Sequence, residues 1–195
     1  AAGNGGAISR LTRLIDPRSY DVATTAAPTE NESRYNYLWR FYQTFPVKGK
    51  MTIYDRSWYG RVLVERVESF TPEHRWAAAY EEINELEHNL VHDGLLIIRF
   101  LIVIDKEEQK RRFKDRENDP EKNHKLTDED WRNHEKFEQY EKAMNEMIAR
   151  TDTKDAPWII VEGTQKEYAR IKVLKEFISR ARAFIDSQEG NKQGK

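Results

Sequence analysis

The chain has 195 residues, of which 38% are hydrophobic and 34% are charged, and its formal net charge is −1. This length suits a single domain with its own core, and so balanced a charge does not by itself indicate a polyanionic partner. The absence of cysteine excludes disulfides and thiol catalysis and is typical of the reducing cytoplasm, where we expect the protein. No apolar stretch approaches the roughly 20 residues of a membrane-spanning helix, so we expect no membrane contact.

The first third of the chain predicts two helices and two strands. A helical spacing of apolar residues follows the glycine-rich start and ends at Asp16 and Pro17, because proline cannot continue a helix. Short apolar runs then flank a second helical pattern that ends before Pro46. These predicted elements are a helix at 7–15, a strand at 20–26, a helix at 35–42 and a strand at 50–55.

The middle of the chain predicts a helix, a buried strand and a further helix. Thr71 and Pro72 indicate a helix start, with a hydroxyl cap before a proline at the first helical position. The apolar, β-branched run 95–104 predicts a strand buried on both faces of a parallel sheet. Asp105 and Glu108 then form a capping-box pattern for the next helix.

The last third predicts two long helices on either side of a strand at 157–161. A cap pattern at Thr127 precedes the first helix, and one at Thr164 precedes the second. We expect the final helix to turn one apolar face inward and to give way to a frayed polar tail at 187–195. The inward residues are Ile171, Leu174, Ile178 and Phe184.

Strands that alternate with helices predict an α/β fold with a parallel sheet, organised as one domain over 1–186. In such sheets, ligands bind outside the carboxyl ends of the strands. Asp55 lies at such an end, where a carboxylate can hold Mg²⁺ or take a proton from an attacking group. From its position alone, a role in a helix cap or a turn is an equal alternative.

Positive charge is concentrated in two stretches, 48–66 and 110–116. Arginine suits fork-like binding of phosphate oxygens, although a solvated face is the alternative for both stretches. Trp58 and Tyr59 argue against a merely solvated face in the first stretch, and an exposed basic lid that closes over phosphates fits the second. The basic residues are Lys48, Lys50, Arg56, Arg61 and Arg66, then Lys110, Arg111, Arg112, Lys114 and Arg116, with Lys122 and Lys125 beyond Pro120.

The five histidines form no convincing metal-binding pattern. His88 and His92 are four residues apart on a predicted helix, but the sequence shows no third ligand for them. We therefore interpret both as surface residues.

The stretch "IYDRSWYGRVLVERVESF" closely resembles the signature of the family-2 polyphosphate kinases, and the similarity covers nearly the whole chain. It continues through "AAPTE", "YLWRF", "EEQKRRFKDRENDPEKNHKLTDEDW", "TDTKDAPWIIV" and "KEYARIKVL". The resemblance implies a P-loop kinase-like, three-layer α/β/α fold similar to thymidylate kinase, with a parallel central sheet and a helical basic lid at about 106–130. It also implies Mg²⁺-dependent phosphoryl transfer between inorganic polyphosphate and a nucleoside mono- or diphosphate. The wording "WYGRVLVERVE" is most similar to the branch that converts AMP to ADP.

The resemblance also implies roles for individual residues. Asp55 matches a Walker-B-like acid that serves magnesium, and Arg56 matches an arginine expected to hold phosphate. Further matches are Arg61 and Arg66 in the signature, Arg111, Arg112, Arg116, Lys122 and Lys125 in the lid, Glu30 and Arg40 near the acceptor nucleotide, and Arg170 in the last helix.

The opening "AAGNGGAI" aligns with the phosphate loop of this family, which reads Asp-x-x-Gly-Lys-Gly. Gly3, Gly5 and Gly6 still let the backbone turn its N–H groups toward phosphate at the positive end of a helix, but Asn4 replaces the lysine. The aspartate of the motif and the strand before it would precede Ala1. We therefore expect the chain to begin inside the domain and the central sheet to be interrupted.

Three functions remain compatible with these patterns. A polyphosphate-dependent nucleotide kinase explains the signature and the basic lid. A kinase-like domain that binds polyphosphate or nucleotide without turnover, or that serves structure or oligomerisation, is favoured by the lost lysine and aspartate. An ATP-dependent monophosphate kinase fits the fold but explains the basic lid less well. The resemblance further implies a homo-oligomer, either a dimer or a tetramer, and gives no indication of nucleic-acid binding.

Overall fold

The computed structural model describes residues 3–120 and 128–193, in which helices alternate with short parallel strands. The strands are β1 (Tyr20–Thr24), β2 (Met51–Asp55), β3 (Arg99–Val103) and β4 (Trp158–Glu162). The helices are α1 (Asn4–Thr12), α2 (Trp39–Tyr42), α3 (Val64–Val67), α4 (Glu73–His92), α5 (Lys106–Glu117), α6 (Asp128–Glu135), α7 (Phe137–Thr151) and α8 (Lys166–Gln193). Short 3₁₀ turns lie at Pro17–Ser19, Glu32–Arg34 and Trp58–Val62. Within the described ranges, no helix combines the length and apolarity needed to cross a membrane.

The strands form two parallel pairs. β1 pairs with β2, which places Thr24 opposite Asp55, and β3 pairs with β4, which places Val103 opposite Glu162. Among the described residues, no main-chain ladder joins β2 to β3. The predicted α/β class with parallel pairing is therefore confirmed, and so is the expected interruption of the sheet.

Two apolar clusters form the core. In α4, Ala79, Ile83 and Leu86 are buried at the spacing of one helix face, which confirms the predicted helical period. α1 contacts the second cluster through Ala7 and so packs against β4 and α8. The first cluster comprises Phe41, Trp58, Tyr59, Val62, Ala79, Tyr80, Ile83, Leu86 and Met147, and the second comprises Ala7, Ile159, Val161, Ala169 and Val173.

Several element boundaries differ from the sequence prediction. α1 begins at Asn4 rather than at residue 7, because Gly3 takes the left-handed conformation (φ 79°) that lets the chain enter the helix there. The second predicted helix is reduced to the four residues of α2. β3 begins at Arg99 rather than at residue 95. The first of the two long helices predicted for the last third of the chain is divided into α6 and α7, and the cap predicted for it at Thr127 lies outside the described residues.

Two other predicted helix caps have opposite outcomes. The Asp105 carboxylate accepts a hydrogen bond from the Glu108 backbone N–H at 2.7 Å and caps α5 as predicted. Thr71 does not cap α4: Pro72 is the cap residue, and the Thr71 hydroxyl instead donates to Glu65 Oε2 at 2.7 Å. The hydroxyl is therefore engaged by the preceding segment before the helix begins.

α8 is longer and differently oriented than predicted. It continues to Gln193, so the prediction of a frayed tail from residue 187 is wrong for the described part of the chain. Ile171 and Ile178 are 52% and 44% exposed, whereas we predicted that they face inward. The buried face is made instead by Ala169 and Val173, because small side chains there allow α8 to pack closely on β4 and α1.

Candidate functional site

The start of α1 has the features of an anion-binding site. Ala7 N–H donates to the carbonyl of Gly3 at 3.1 Å, which is the first bond of the helix. The N–H groups of Asn4, Gly5 and Gly6 are therefore left without main-chain acceptors in α1. Together with the positive end of the helix dipole, these donors favour a bound phosphate. Of the three predicted glycines, only Gly3 has a positive φ that calls for glycine.

Asn4 and Asp55 meet at this helix start. The Asn4 amide Nδ2 donates to Asp55 Oδ1 at 3.2 Å, across 51 residues of sequence. Asp55 is the last residue of β2 and is half-buried, and its carbonyl accepts from the Thr25 N–H at 3.1 Å. The structure thus brings the glycine-rich turn to the acid that the sequence placed at a strand end.

Arg56 follows Asp55 in a strained backbone conformation. Its φ of 66° lies in the left-handed region, which costs a residue with a side chain about 1–2 kcal/mol. Thr25 Oγ1 donates to the Arg56 carbonyl at 2.9 Å and helps to hold this turn, while the Arg56 side chain is exposed. Strain of this kind persists where the surroundings impose it, and it is concentrated at functional sites.

Arg170 brings a second cation to α1. A side-chain carbon added at Gly6 would lie 3.3 Å from Arg170 Nη2, so this guanidinium rests against the backbone of Gly6. Arg170 Nη1 also lies 3.6 Å from Glu167 Oε1, an ion pair whose acidic partner is exposed. The resemblance gave Arg170 no definite role, and its contact with the turn at residues 3–6, the predicted phosphate turn, supplies one candidate.

The first basic stretch, 48–66, does not form one surface. Lys48 and Lys50 precede β2, whereas Arg56 follows it, and five strand residues at about 3.3 Å each separate the two ends by roughly 16 Å. Trp58 and Tyr59 are buried in the core. The stretch is therefore not a merely solvated face, as these aromatic residues indicated, but neither is it a continuous phosphate-binding surface.

Internal partners hold both arginines at the end of this stretch. Arg61 forms an ion pair with Glu65 at 2.8 Å and lies 4.2 Å from the ring centre of Tyr37. Arg66 forms an ion pair with Glu146 at 2.8 Å. The two arginine side chains are only 17% and 16% exposed, so their contacts support the local fold. A role for either in substrate binding stays a prediction.

Arg112 of the predicted lid is buried. Its Nε lies 2.7 Å from Glu108 Oε1, and its Nη2 donates to the carbonyls of Gly163 and Thr164 at 2.6 and 3.1 Å. The expectation that Arg112 is exposed is wrong, because it ties α5 to the connection between β4 and α8. Arg111 is exposed and also pairs with Glu108. Hydrogen bonds from Arg111 and then Arg112 lower the pKa of the Glu108 carboxyl to about 2.

The other predicted lid residues have varied positions. Arg116 is half-buried, with its guanidinium 6.0 Å from the ring centre of Phe113. Lys122 and Lys125 lie outside the described residues. The exposed cations of α5 are Lys110, Arg111 and Lys114.

The residues predicted near an acceptor nucleotide are Glu30, on the loop after β1, and Arg40, on α2. Glu30 is exposed on this loop. Arg40 braces the loop against α2, because its Nη1 donates to the Ala26 carbonyl at 2.9 Å and its Nε lies 3.2 Å from Glu32 Oε1. The loop begins at Thr25, which contacts the backbone of both Asp55 and Arg56, so it starts beside the acid that ends β2.

A buried polar network joins α4, β3 and the turn after β2, and sequence reasoning missed it. Glu87 Oε1 accepts from Trp58 Nε1 at 3.0 Å and from the Tyr59 hydroxyl at 2.9 Å. Arg99 donates to Glu87 Oε2 and to the Thr151 carbonyl, each at 2.9 Å, and also to the Tyr59 hydroxyl. Burial raises the pKa of Glu87, and Arg99 opposes that shift. The sequence offered two signals for this network: Arg99 lies inside the apolar run 95–104, and Glu87 lies on the apolar face of α4.

The fold defines a P-loop kinase-like α/β domain, and its glycine-rich turn lies beside the acid that ends β2. The family model described as Polyphosphate kinase 2 (PPK2) matches residues 1–189. The chain therefore belongs to the polyphosphate kinase 2 family, which confirms the resemblance found in the sequence.

Individual relatives agree with this assignment. A polyphosphate:AMP phosphotransferase of Pseudomonas aeruginosa is 50% identical over 175 residues, which are 90% of this chain and 35% of that protein. One of Acinetobacter johnsonii is 49% identical over 187 residues, which are 96% of this chain and 39% of that protein. A crystal structure from Pseudomonas aeruginosa PA01, assigned to polyphosphate kinase 2, is 47% identical with a TM-score of 0.93 and covers 96% of this chain and 41% of its own. The chain thus spans less than half the length of these relatives.

Proposed function

We propose that this domain transfers a phosphoryl group between inorganic polyphosphate and a nucleotide. The observation that carries the proposal is the meeting of the α1 start with the acid that ends β2, where Asn4 and Asp55 are 3.2 Å apart. Phosphoryl transfer depends mainly on positioning and charge neutralisation, and this arrangement offers both. Family membership and the names of the relatives support the same reaction.

Each part of the site has its own task in this proposal. The N–H groups of Asn4, Gly5 and Gly6 bind oxygens of the transferred group, because they are preorganised donors at a positive helix end. Arg56 and Arg170 neutralise charge on the surrounding phosphates. When the nucleotide is phosphorylated, the bond breaks between the terminal phosphorus of polyphosphate and the oxygen that bridges it to the next phosphate. The shortened polyphosphate keeps that bridging oxygen. An oxygen of the nucleotide phosphate then holds the transferred phosphorus.

The residues of the site fit Mg²⁺. This ion is usually bound through one or two carboxylates, several waters and the substrate phosphates. Asp55 offers a half-buried carboxylate directly beside the phosphate turn, and its Oδ1 contacts a neutral amide rather than a lysine at position 4. Asp55 would hold the ion, which when bound supplies positive charge to phosphate oxygens.

We propose AMP as the acceptor and the exposed face of α5 as part of the polyphosphate path. The names of the relatives support AMP, and the loop that carries Glu30 and is braced by Arg40 starts beside Asp55. Along α5 the exposed cations suit a linear polyanion, with Arg116, Lys122 and Lys125 as further predicted contacts. Arg112 is buried and would act by positioning α5. The exposed cations in question are Lys110, Arg111 and Lys114.

One assay separates the candidate reactions. The purified chain is supplied with AMP, Mg²⁺ and either polyphosphate or ATP, and ADP formation is followed by chromatography. We expect ADP with polyphosphate as donor, and an Asp55→Asn variant with unchanged circular dichroism should form none. Product from ATP alone would instead identify an ATP-dependent monophosphate kinase. Polyphosphate binding without product would favour the second candidate, a binding domain, for which the uncharged Asn4 at the phosphate turn is the supporting observation.

A homo-oligomer is also proposed, as the resemblance implies. Ile171, Ile178 and Ile185 are exposed on α8 and recur every seven residues, a spacing that suits contact between helices of two copies. The cytoplasm stays the predicted compartment, on the basis of the cysteine-free composition.

A further inference from the structure

The last turn of α4 and the connection before β4 bring together three side chains that bind metals. His88 and His92 are four residues apart, so their rings lie on one face of α4, with centres 4.0 Å apart. Asp155 lies 67 residues further along the chain, and its Oδ2 is 2.8 Å from His88 Nδ1. The sequence alone showed no third ligand for the histidine pair, and the fold supplies it.

The distances suit a metal ion after small side-chain rotations. One ligand atom from each of the three residues lies within 4.8 Å of the other two. In a tetrahedral site with bonds of about 2.0–2.2 Å, neighbouring ligand atoms are about 3.3–3.5 Å apart. His88 and His92 are exposed, so rotation of their rings is unobstructed by core packing and a fourth position can be taken by water.

The backbone that carries these ligands is held firmly on both sides. Glu87, next to His88, is fully buried and its carboxylate is fixed by the polar network. Ala156, next to Asp155, is also fully buried. The Asp152 carboxylate accepts from the Trp158 N–H at 2.8 Å and closes this connection. The backbone positions of the ligands are therefore fixed before the metal binds, which lowers the entropy that binding costs.

We propose that His88, His92 and Asp155 form a binding site for a divalent transition-metal ion of the zinc class. Two imidazoles and one carboxylate select borderline ions such as Zn²⁺ and Ni²⁺, whereas Mg²⁺ and Ca²⁺ prefer sites made of oxygen alone. The site precedes β4 and lies at the amino end of that strand, while Asp55 lies at the carboxyl end of β2. The bound ion clamps the end of α4 to the connection before β4 and stabilises the fold. It takes no part in phosphoryl transfer.

The test measures metal binding and stability, so it is independent of the proposed enzymatic activity. The chain, free of any polyhistidine tag, is titrated calorimetrically with ZnCl₂ and with NiCl₂ in excess MgCl₂ and without nucleotide. We expect one saturable site, and a melting temperature that rises with Zn²⁺ and returns with EDTA, because an ion that binds only the folded state stabilises it. Mg²⁺ alone should not reproduce the rise.

Variants identify the ligands. His92→Ala and Asp155→Asn should each weaken Zn²⁺ binding by about tenfold or more and abolish the thermal shift. His74→Ala is the matched control, because His74 is an exposed histidine in the first turn of the same helix, and it should bind as the parent does. Melting curves in EDTA show whether each variant is folded. The proposal is overturned if the parent shows no saturable site for either metal, or if His92→Ala and Asp155→Asn bind Zn²⁺ as tightly as His74→Ala.

Discussion

Asn4 is a short, neutral side chain at a point where phosphate charge is expected. Its amide is engaged by Asp55 at 3.2 Å, so it holds the acid and the α1 start together. It cannot follow a transferring phosphoryl group with a full positive charge, as the longer lysine side chain can. We therefore expect the present chain to bind phosphate and to transfer it slowly.

An Asn4→Lys variant should raise turnover at least tenfold, because loss of one preorganised donor typically costs on the order of 10²–10³ in rate. Initial rates of ADP formation from AMP and polyphosphate measure the effect. Asn4→Gln lengthens the side chain without adding charge and should bring no such gain. Equal turnover and equal polyphosphate affinity in the lysine variant and the parent would remove the phosphate-turn interpretation.

Arg56 combines backbone strain with an exposed guanidinium beside the acid. An Arg56→Gly variant should gain up to about 1 kcal/mol in unfolding free energy, because glycine adopts the left-handed φ of 66° without strain. The same variant should lose most of its turnover, because the phosphate-binding fork is gone. Arg56→Lys retains the strain and the charge, so it should show no such gain in stability.

Urea unfolding and the donor assay measure the two effects separately. A glycine variant that is clearly less stable than the parent would mean that side-chain contacts of Arg56 outweigh the strain. A glycine variant with parental turnover would show that Arg56 does not assist transfer.

At the scale of single elements, the sequence predicted β1, β2 and β4 to within about two residues. Each is a short apolar run between clear breakers, and such runs carry their own boundary signals. The run 95–104 has no breaker inside it, so the start of β3 at Arg99 depends on the tertiary partners of that arginine. The Trp58–Val62 turn has neither strand nor helix period, and it forms because its aromatic side chains are buried.

Part of the candidate site was also predictable from the sequence. The contact between Asn4 and Asp55 follows from a general rule, that strand ends and helix starts meet at one edge of a parallel sheet. The burial of Arg112 follows no such rule. A run of basic residues along a helix does not reveal which of them faces the core. Arg112 is buried here because Phe113 packs inward beside it and the carbonyls after β4 accept its hydrogen bonds.

These contacts predict that Arg112 matters to the packing of α5. Arg112→Ala leaves the buried Glu108 with fewer partners and the carbonyls of Gly163 and Thr164 without their donor, which should cost about 2–4 kcal/mol. Arg111→Ala removes an exposed ion pair on the same carboxylate and should cost less than about 1 kcal/mol.

Urea unfolding of both variants gives the comparison. In the donor assay, Arg111→Ala should raise the apparent KM for polyphosphate more than Arg112→Ala does, because of the two side chains only Arg111 is exposed to the polyanion. This effect of Arg111 should weaken as the salt concentration rises. Equal stability of the two variants would contradict the buried role of Arg112.

At the scale of the whole molecule, the buried network spans the interruption of the sheet. Tyr59 follows β2 and Arg99 begins β3, and both contact Glu87 of α4. In the described ranges no main-chain ladder joins these two strands, so side-chain hydrogen bonds link the two halves of the sheet there. Glu87 is nearly inaccessible to solvent, and its contacts are therefore strong in the low local dielectric.

The ionisation of Glu87 should leave a signature in the pH dependence of stability. Burial raises its pKa in the folded protein above the ordinary value of 4.5, so the folded state binds its proton more tightly than the unfolded state does. The stabilisation that comes from binding this proton is fully present below pH 4.5, and it is lost as pH rises through the pKa of Glu87 in the folded protein. Relative to Glu87→Gln, which cannot titrate, the parent should thus lose stability as pH rises above 4.5.

Glu108 supplies a control of opposite sign, because its pKa is lowered to about 2. The ionised Glu108 carboxylate stabilises the fold above pH 4.5, and this stabilisation is lost as pH falls toward 2. The free energy of unfolding of the parent should therefore increase relative to that of Glu108→Gln as pH rises from 3 to 4.5. Urea unfolding of the parent and both variants over a series of pH values measures the two slopes. If the difference between the parent and Glu87→Gln is flat above pH 4.5, or rises with pH, then Glu87 is held ionised by Arg99 and burial does not dominate its environment.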